Sequence, residues 1–108
     1  LVYNPNGNVF ALNSDEKLKE NIEVIPNALD KVKQIRGVTF NWKRDGVKST
    51  GVIAQDVEKA FPVLVSEREK SGDKAVSYQN MVGLLVEAIK EQQIQIEDLK
   101  AKVEDLSK

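Results

Sequence analysis

The chain has 108 residues, 41% hydrophobic and 31% charged, with 16 basic and 17 acidic side chains and a formal net charge of -1. That balance suits one globular domain; it gives no basic field for nucleic acid and no polybasic membrane anchor, and no apolar run is long enough to span a bilayer. There is no cysteine and no histidine, which excludes disulfides, thiol nucleophiles, thiolate metal sites, the Ser-His-Asp arrangement and nearly every zinc or non-haem iron site.

The first twelve residues read as extended. Val2-Tyr3 and Val9-Phe10-Ala11-Leu12 are β-prone and flank Asn4-Pro5-Asn6-Gly7, a tight-turn signal. Two short strands alone are marginal, so this piece is expected to finish a larger β-rich element upstream. Ser14-Asp15-Glu16 then resembles a helix start, with Ser14 as the cap and the acids near the positive end of the dipole. Pro26 opens a second helical stretch through Ile35, with Leu29, Val32 and Ile35 along one face, and Gly37 closes it. Val38 to Trp42 alternates like a strand, Asp45-Gly46 supplies a turn, and Gly51-Val52-Ile53-Ala54 is a short apolar strand candidate. Gln55 to Phe61 reads as one or two helical turns stopped by Pro62. Val63-Leu64-Val65 and Ala75-Val76-Ser77-Tyr78 flank a polar loop and predict a hairpin. Phe40, Trp42 and Phe61 are most simply core residues.

From Tyr78 onward there is no proline, and the only glycine is Gly83. Placing Val82, Ile89, Ile96 and Val103 at the a positions of a heptad makes Leu85, Gln92, Leu99 and Leu106 the d residues. This 3.5-residue period predicts a helix that supercoils with copies of itself. The competing reading is a single amphipathic helix packed on its own domain. The seam says oligomer firmly and strand number weakly, because β-branched a with leucine at d favours dimers while Gln92 disturbs that rule. About 75 residues remain for the globular part, too few for a generous core, so association is expected to supply part of the stability. The fold class expected is α+β: small hairpins, short helices and a long C-terminal helix.

Without histidine, cysteine or a metal set, catalysis is left to hydroxyls, carboxylates, lysines, tyrosines and backbone groups, and a serine activated by a lysine is one of the few nucleophilic arrangements available. Ser14 and Lys19, five apart, form such a pair. The plainer reading makes Ser14 a helix cap and Lys19 the partner of Asp15 across one helical turn. Asp15, Glu16 and Glu20 form no convincing metal or glycosidase set. No glycine-rich phosphate loop of recognised spacing is present.

Three blocks, in order, shift the weight towards the pair. They are Ser14-Asp15-Glu16-Lys17-Leu18-Lys19-Glu20-Asn21-Ile22; then Phe40-Asn41-Trp42 with Gly51-Val52-Ile53-Ala54-Gln55-Asp56-Val57 and Pro62; then Val76-Ser77-Tyr78 leading into the long helix through Ala88-Ile89-Lys90. Together they resemble the C-terminal intramolecular chaperones of phage tail fibres and tailspikes, the endosialidase-type family of self-cleaving serine-lysine peptidases, over Ser14 to Lys108. The resemblance implies a homotrimer, with the long helix as a parallel three-stranded coiled coil, that registers the upstream fibre segment of its own chain. It implies release by cleavage at Asn13–Ser14, with Ser14 as nucleophile and Lys19 as general base. Asp15 and Gln55 stand within the blocks as candidate supporting residues. The division expected is 1–13 for the end of the fibre stalk, 14–77 for the autoprocessing domain and 78–108 for the trimerisation helix. No metal, cofactor, nucleic acid or membrane is implied. The setting implied is a virion tail fibre precursor assembled in the bacterial host cytoplasm. The alternative is a structural trimerisation cap that does not cleave.

Overall fold

The computed structural model describes residues 2–3, 9–11 and 13–108, the first two stretches by their backbone alone. Strands β1 (Val2–Tyr3) and β2 (Val9–Ala11) pair antiparallel, Val2 opposite Ala11 and Tyr3 opposite Val9, as the flanking β-prone residues predict. The turn residues between them, and Leu12, lie outside the described residues.

A single 3-10 turn at Glu16–Leu18 follows where a helix start is expected. Its cap is Asp15 and not Ser14: the Asp15 carboxylate accepts the Lys17 backbone N–H at 3.0 Å. Both residues are good caps by type. Asp15 is extended at φ -66, ψ 133, the conformation a cap adopts, and its side chain reaches the amide two residues on. The Ser14 hydroxyl is thereby left out of the turn.

Helix α1 (Ala28–Lys33) begins after Asn27, which sits in the left-handed region at φ 52 and caps nothing with its side chain. The cap comes instead from far along the chain. Glu91 accepts the Ala28 N–H at 2.8 Å and the Leu29 N–H at 3.1 Å through its two carboxylate oxygens. Strand β3 (Gly37–Asn41) pairs antiparallel with β4 (Lys48–Val52), Gly37 opposite Val52 and Asn41 opposite Lys48. The reversal uses Gly46 at φ +74, with its N–H on the Trp42 carbonyl at 2.8 Å. The strand expected over Gly51 to Ala54 starts earlier and ends at Val52, because Ile53 turns the chain into α2 (Ala54–Ala60). Phe61 closes α2 before Pro62, as expected.

Val63 and Leu64 belong to a 3-10 turn at Pro62–Leu64, not to a strand; proline at the first position of that turn favours the tight helix. The hairpin is therefore shorter than expected, β5 (Val65–Glu67) against β6 (Lys74–Val76). Lys74 clips it to α2 through Glu58 at 2.9 Å. After a 3-10 turn at Tyr78–Asn80, helix α3 runs over Met81–Leu106.

The core is small: Ala28 of α1, Val57 of α2, Leu64, and Met81, Leu84 and Ala88 of α3. Leu84 and Val57 are its only large side chains that are fully buried. Leu29, Val32, Ile35, Phe61 and Val76 pack around it, half-buried. So α3 docks on the domain by Met81, Leu84, Ala88 and Glu91, whereas the a and d residues lie on another face. Ile89 is 64% exposed, Leu99 60% and Val103 64%. The helix does pack on its own domain, but not by the heptad seam, which stays uncovered from Val82 to Leu106.

Candidate functional site

Two extended residues flank the 3-10 turn, Asp15 at φ -66, ψ 133 before it and Lys19 at φ -118, ψ 147 after it, and Ser14 immediately precedes Asp15. The turn reverses the chain between them, closed by the Leu18 N–H on the Asp15 carbonyl and the Lys19 N–H on the Glu16 carbonyl, each 3.0 Å. Side chains five residues apart thus face one another across its base. The Lys19 ammonium donates to Ser14 Oγ at 2.7 Å. A continuous α-helix would have put these positions about 140° apart around its axis. Lys19 does not pair with Asp15, so the plainer reading of a helix cap and an i, i+4 ion pair is not the arrangement found. Ser14, Asp15 and Lys19 are all exposed in the single chain, and so is Asn13, whose peptide bond to Ser14 opens onto solvent-accessible chain.

The chemistry available is a hydroxyl held in line with an amine. A serine becomes a nucleophile when a base takes its proton, and a lysine in its neutral form can do so along the hydrogen bond already formed. Neutrality is favoured where neighbouring groups exclude water from the amine.

Gln55 is elsewhere. It lies on α2 at the edge of an open groove of about 650 Å³ between β4 and β6, walled also by Trp42, Val52, Val76 and Tyr78. It makes no hydrogen bond to Ser14 or Lys19. Trp42, expected in the core, stands 43% exposed on this groove, in edge-on contact with Phe40 at 4.9 Å and under the Arg44 guanidinium at 4.9 Å. Burial does alternate along β3, with Val38 and Phe40 half-buried, but the strand ends at Asn41 and Trp42 stands one residue beyond it, where the covered face runs out. Tyr78 braces the groove: its hydroxyl accepts the Val52 N–H at 3.0 Å. Gly51 is required beside it, since a Cβ there would lie 2.5 Å from Tyr78 Oη.

The ordered charges outside the serine-lysine turn are structural. The Arg36 guanidinium donates to Asp56 at 2.8 Å and holds that carboxyl below the usual carboxylate range. The hydrogen bond that Lys74 donates to the Glu58 carboxylate raises Lys74 above the usual lysine range. Among the described residues no group of acidic side chains is arranged to hold a metal ion.

With that geometry in place, the chain can be set among known proteins. Residues 14–66, beginning at the serine of the turn, match the family described as chaperone of endosialidase, whose family name is also that of a peptidase. The chain belongs to this family through that segment, which spans the 3-10 turn, α1, the β3–β4 hairpin and α2. It is also similar to long tail fiber protein Gp37 of Enterobacteria phage K3, 36% identical over 104 residues that cover 89% of this chain and 8% of that protein. Against long tail fiber protein Gp37 of Enterobacteria phage Ox2 the identity is 34% over 114 residues, covering 91% of this chain and 44% of that protein. The chain therefore spans less than half the length of these curated relatives.

Proposed function

We propose that this chain is the intramolecular chaperone of a phage tail fibre precursor, and that it cuts itself free at Asn13–Ser14 once three copies have assembled. The observation that carries the proposal is the 2.7 Å hydrogen bond between Lys19 Nζ and Ser14 Oγ, formed by the first residue of the matched family segment and a lysine five positions on. The tail fibre relatives support a tail fibre precursor as the setting, and in this reading it is assembled in the bacterial host cytoplasm.

Neutral Lys19 takes the Ser14 hydroxyl proton, and Oγ attacks the Asn13 carbonyl carbon through a five-membered ring. The C–N bond breaks, the proton passes to the departing Ser14 amine, and an ester joins Asn13 to Oγ. Water then hydrolyses the ester. The products are a chain ending in the Asn13 carboxylate and a fragment beginning with the free Ser14 amine. One event per chain suffices, and the intramolecular geometry replaces the encounter that a second molecule would require.

The partners are two further copies of this chain, joined through the a and d seam of α3 as a parallel three-stranded coiled coil, and the upstream fibre segment. In this division residues 1–13 end the stalk, 14–77 form the autoprocessing domain and 78–108 hold the trimer. Three tethered chains meet at high effective concentration and in fixed register. Slow interchain β-pairing then proceeds beside a fast local helix. Cutting the tether leaves the folded fibre kinetically trapped.

The exposure of Ser14 and Lys19 in the single chain favours one second reading, a trimerisation cap that never cleaves. Mass spectrometry of the purified protein separates the two. The proposal expects a fragment starting at Ser14 in the wild type and none in Ser14→Ala or Lys19→Ala. A wild-type chain that stays whole with its fibre stalk attached leaves the cap.

A further inference from the structure

We infer that Asp15 is a positioning residue for the serine-lysine pair, acting by capping the turn between them and not by its charge. The inference rests on the self-cleaving reading above and adds a residue that touches neither the scissile carbonyl nor the reacting hydroxyl.

Residues 16–18 form one isolated 3-10 turn with no buried side chain to hold it. A single helical turn fixes several dihedrals for very few hydrogen bonds, so in isolation it is scarcely populated. Leu18 gives little burial to compensate, since it is 65% exposed. The backbone closes the turn with two 3.0 Å bonds, and among the described residues the only side chain that adds to them is Asp15, through the Lys17 N–H at 3.0 Å. Whatever holds the turn also holds Ser14 and Lys19 together, because the pair straddles it.

Asp15 also leaves the Ser14 hydroxyl free. Ser14 and Asp15 are adjacent and both are cap-forming types. A turn started one residue earlier would engage the Ser14 hydroxyl as cap acceptor for a backbone amide, moving the start of the helical turn away from Lys19. With Asp15 in the cap, Oγ of Ser14 is left to Lys19. The carboxylate thus biases the segment towards the one register in which the nucleophile is available.

If Asp15 served as an electrostatic partner, removing its charge while keeping its shape would abolish its effect. If it serves as a cap, asparagine substitutes for it, because the amide oxygen accepts the same N–H.

The test is the single-turnover rate of fragment release, followed by intact mass in the full chain with its fibre stalk, for wild type, Asp15→Asn and Asp15→Ala. The expected result is cleavage by Asp15→Asn within about two-fold of wild type and by Asp15→Ala slowed about five-fold or more, the scale of losing one cap. The melting temperature should be the same in all three, since Asp15 is exposed and outside the core. Asp15→Ala cleaving at the wild-type rate overturns the inference. Asp15→Asn as slow as Asp15→Ala overturns the capping mechanism, because the amide oxygen can still accept the Lys17 N–H. A wild type that does not cleave at all refutes the underlying self-cleaving reading instead, and the three-way comparison keeps these failures apart. Whichever way the rates fall, the Lys17 amide proton reports the cap directly: its exchange with solvent should quicken in Asp15→Ala and not in Asp15→Asn.

Discussion

Replacing Glu91 with alanine tests the contact that joins the two ends of the globular part. The carboxylate accepts two backbone donors, Ala28 N–H at 2.8 Å and Leu29 N–H at 3.1 Å, across 63 and 62 residues of sequence. Ala28 is fully buried, and Asn27 offers no side-chain cap of its own. A hydrogen bond to a charged acceptor contributes about 1.5–3 kcal/mol, and loss of a helix cap costs about 1 kcal/mol. Water can reach the vacated space from the half-buried edge, so the two bonds do not count in full, and the expected loss is about 2 kcal/mol. For a domain of this size that lowers the melting temperature by about 10 °C, compared at equal protein concentration because an oligomer's melting point depends on it. Glu91→Gln keeps one carbonyl acceptor and should fall about midway. Circular dichroism melts and urea titrations measure both. Exchange of the Ala28 and Leu29 amides should accelerate before that of the β3–β4 hairpin. A melting point for Glu91→Ala within about 2 °C of wild type would show that α1 holds without its remote cap and refute the reasoning.

Gly51→Ala forces a Cβ against Tyr78 Oη and should destabilise by about 1–3 kcal/mol; adding Tyr78→Phe removes the obstructing atom and should restore part of that, a non-additivity visible in urea midpoints. Leu84→Ala empties the largest fully buried position among the described residues and should cost about 3 kcal/mol with little change in the Ser14–Lys19 turn. Because Arg36 depresses Asp56, its stabilising contribution is present above the unfolded carboxylate range and disappears as pH falls through the lower folded value. The stability gap between wild type and Asp56→Asn should therefore close below about pH 4, which urea titrations at several pH values measure. Ile96→Asp with Leu99→Asp places charges on the uncovered seam and should give monomers by sedimentation, with fragment release abolished; cleavage in a verified monomer would refute dependence on assembly.

The parts of the fold that the sequence announces are those with local causes. Pro62 after α2 and the long helix over Met81–Leu106 each have causes within a few residues and stand where expected, whereas α1 ends at Lys33, capped by Gln34, before the Gly37 expected to close it, and Gly37 opens β3 instead. The second apolar face of α3 was harder to see. Met81, Leu84 and Ala88 have helical spacing, but they share turns with Val82, Leu85 and Ile89, and the longer seam conceals them. Lys48 to Thr50 gave no strand signal because β4 lies in a two-stranded hairpin with little burial, where polar residues suffice. The cap by Glu91 is legible nowhere near α1, since its partners are more than sixty residues away. At the candidate site the serine and lysine were visible by type and spacing. The choice of Asp15 over Ser14 as cap was not, because two adjacent residues compete for one amide and backbone geometry decides between them.

Glu91 is also the last residue of α3 that the globular part grips. Everything from Gln92 to Leu106 extends past the last anchor, answering only to whatever lies alongside it. That distal rod is thus interchangeable hardware: a natural lineage or an engineer could lengthen it by whole heptads, shorten it, or graft on a bundle of different strand number. The folded head would register such an exchange only through the spacing of its neighbours.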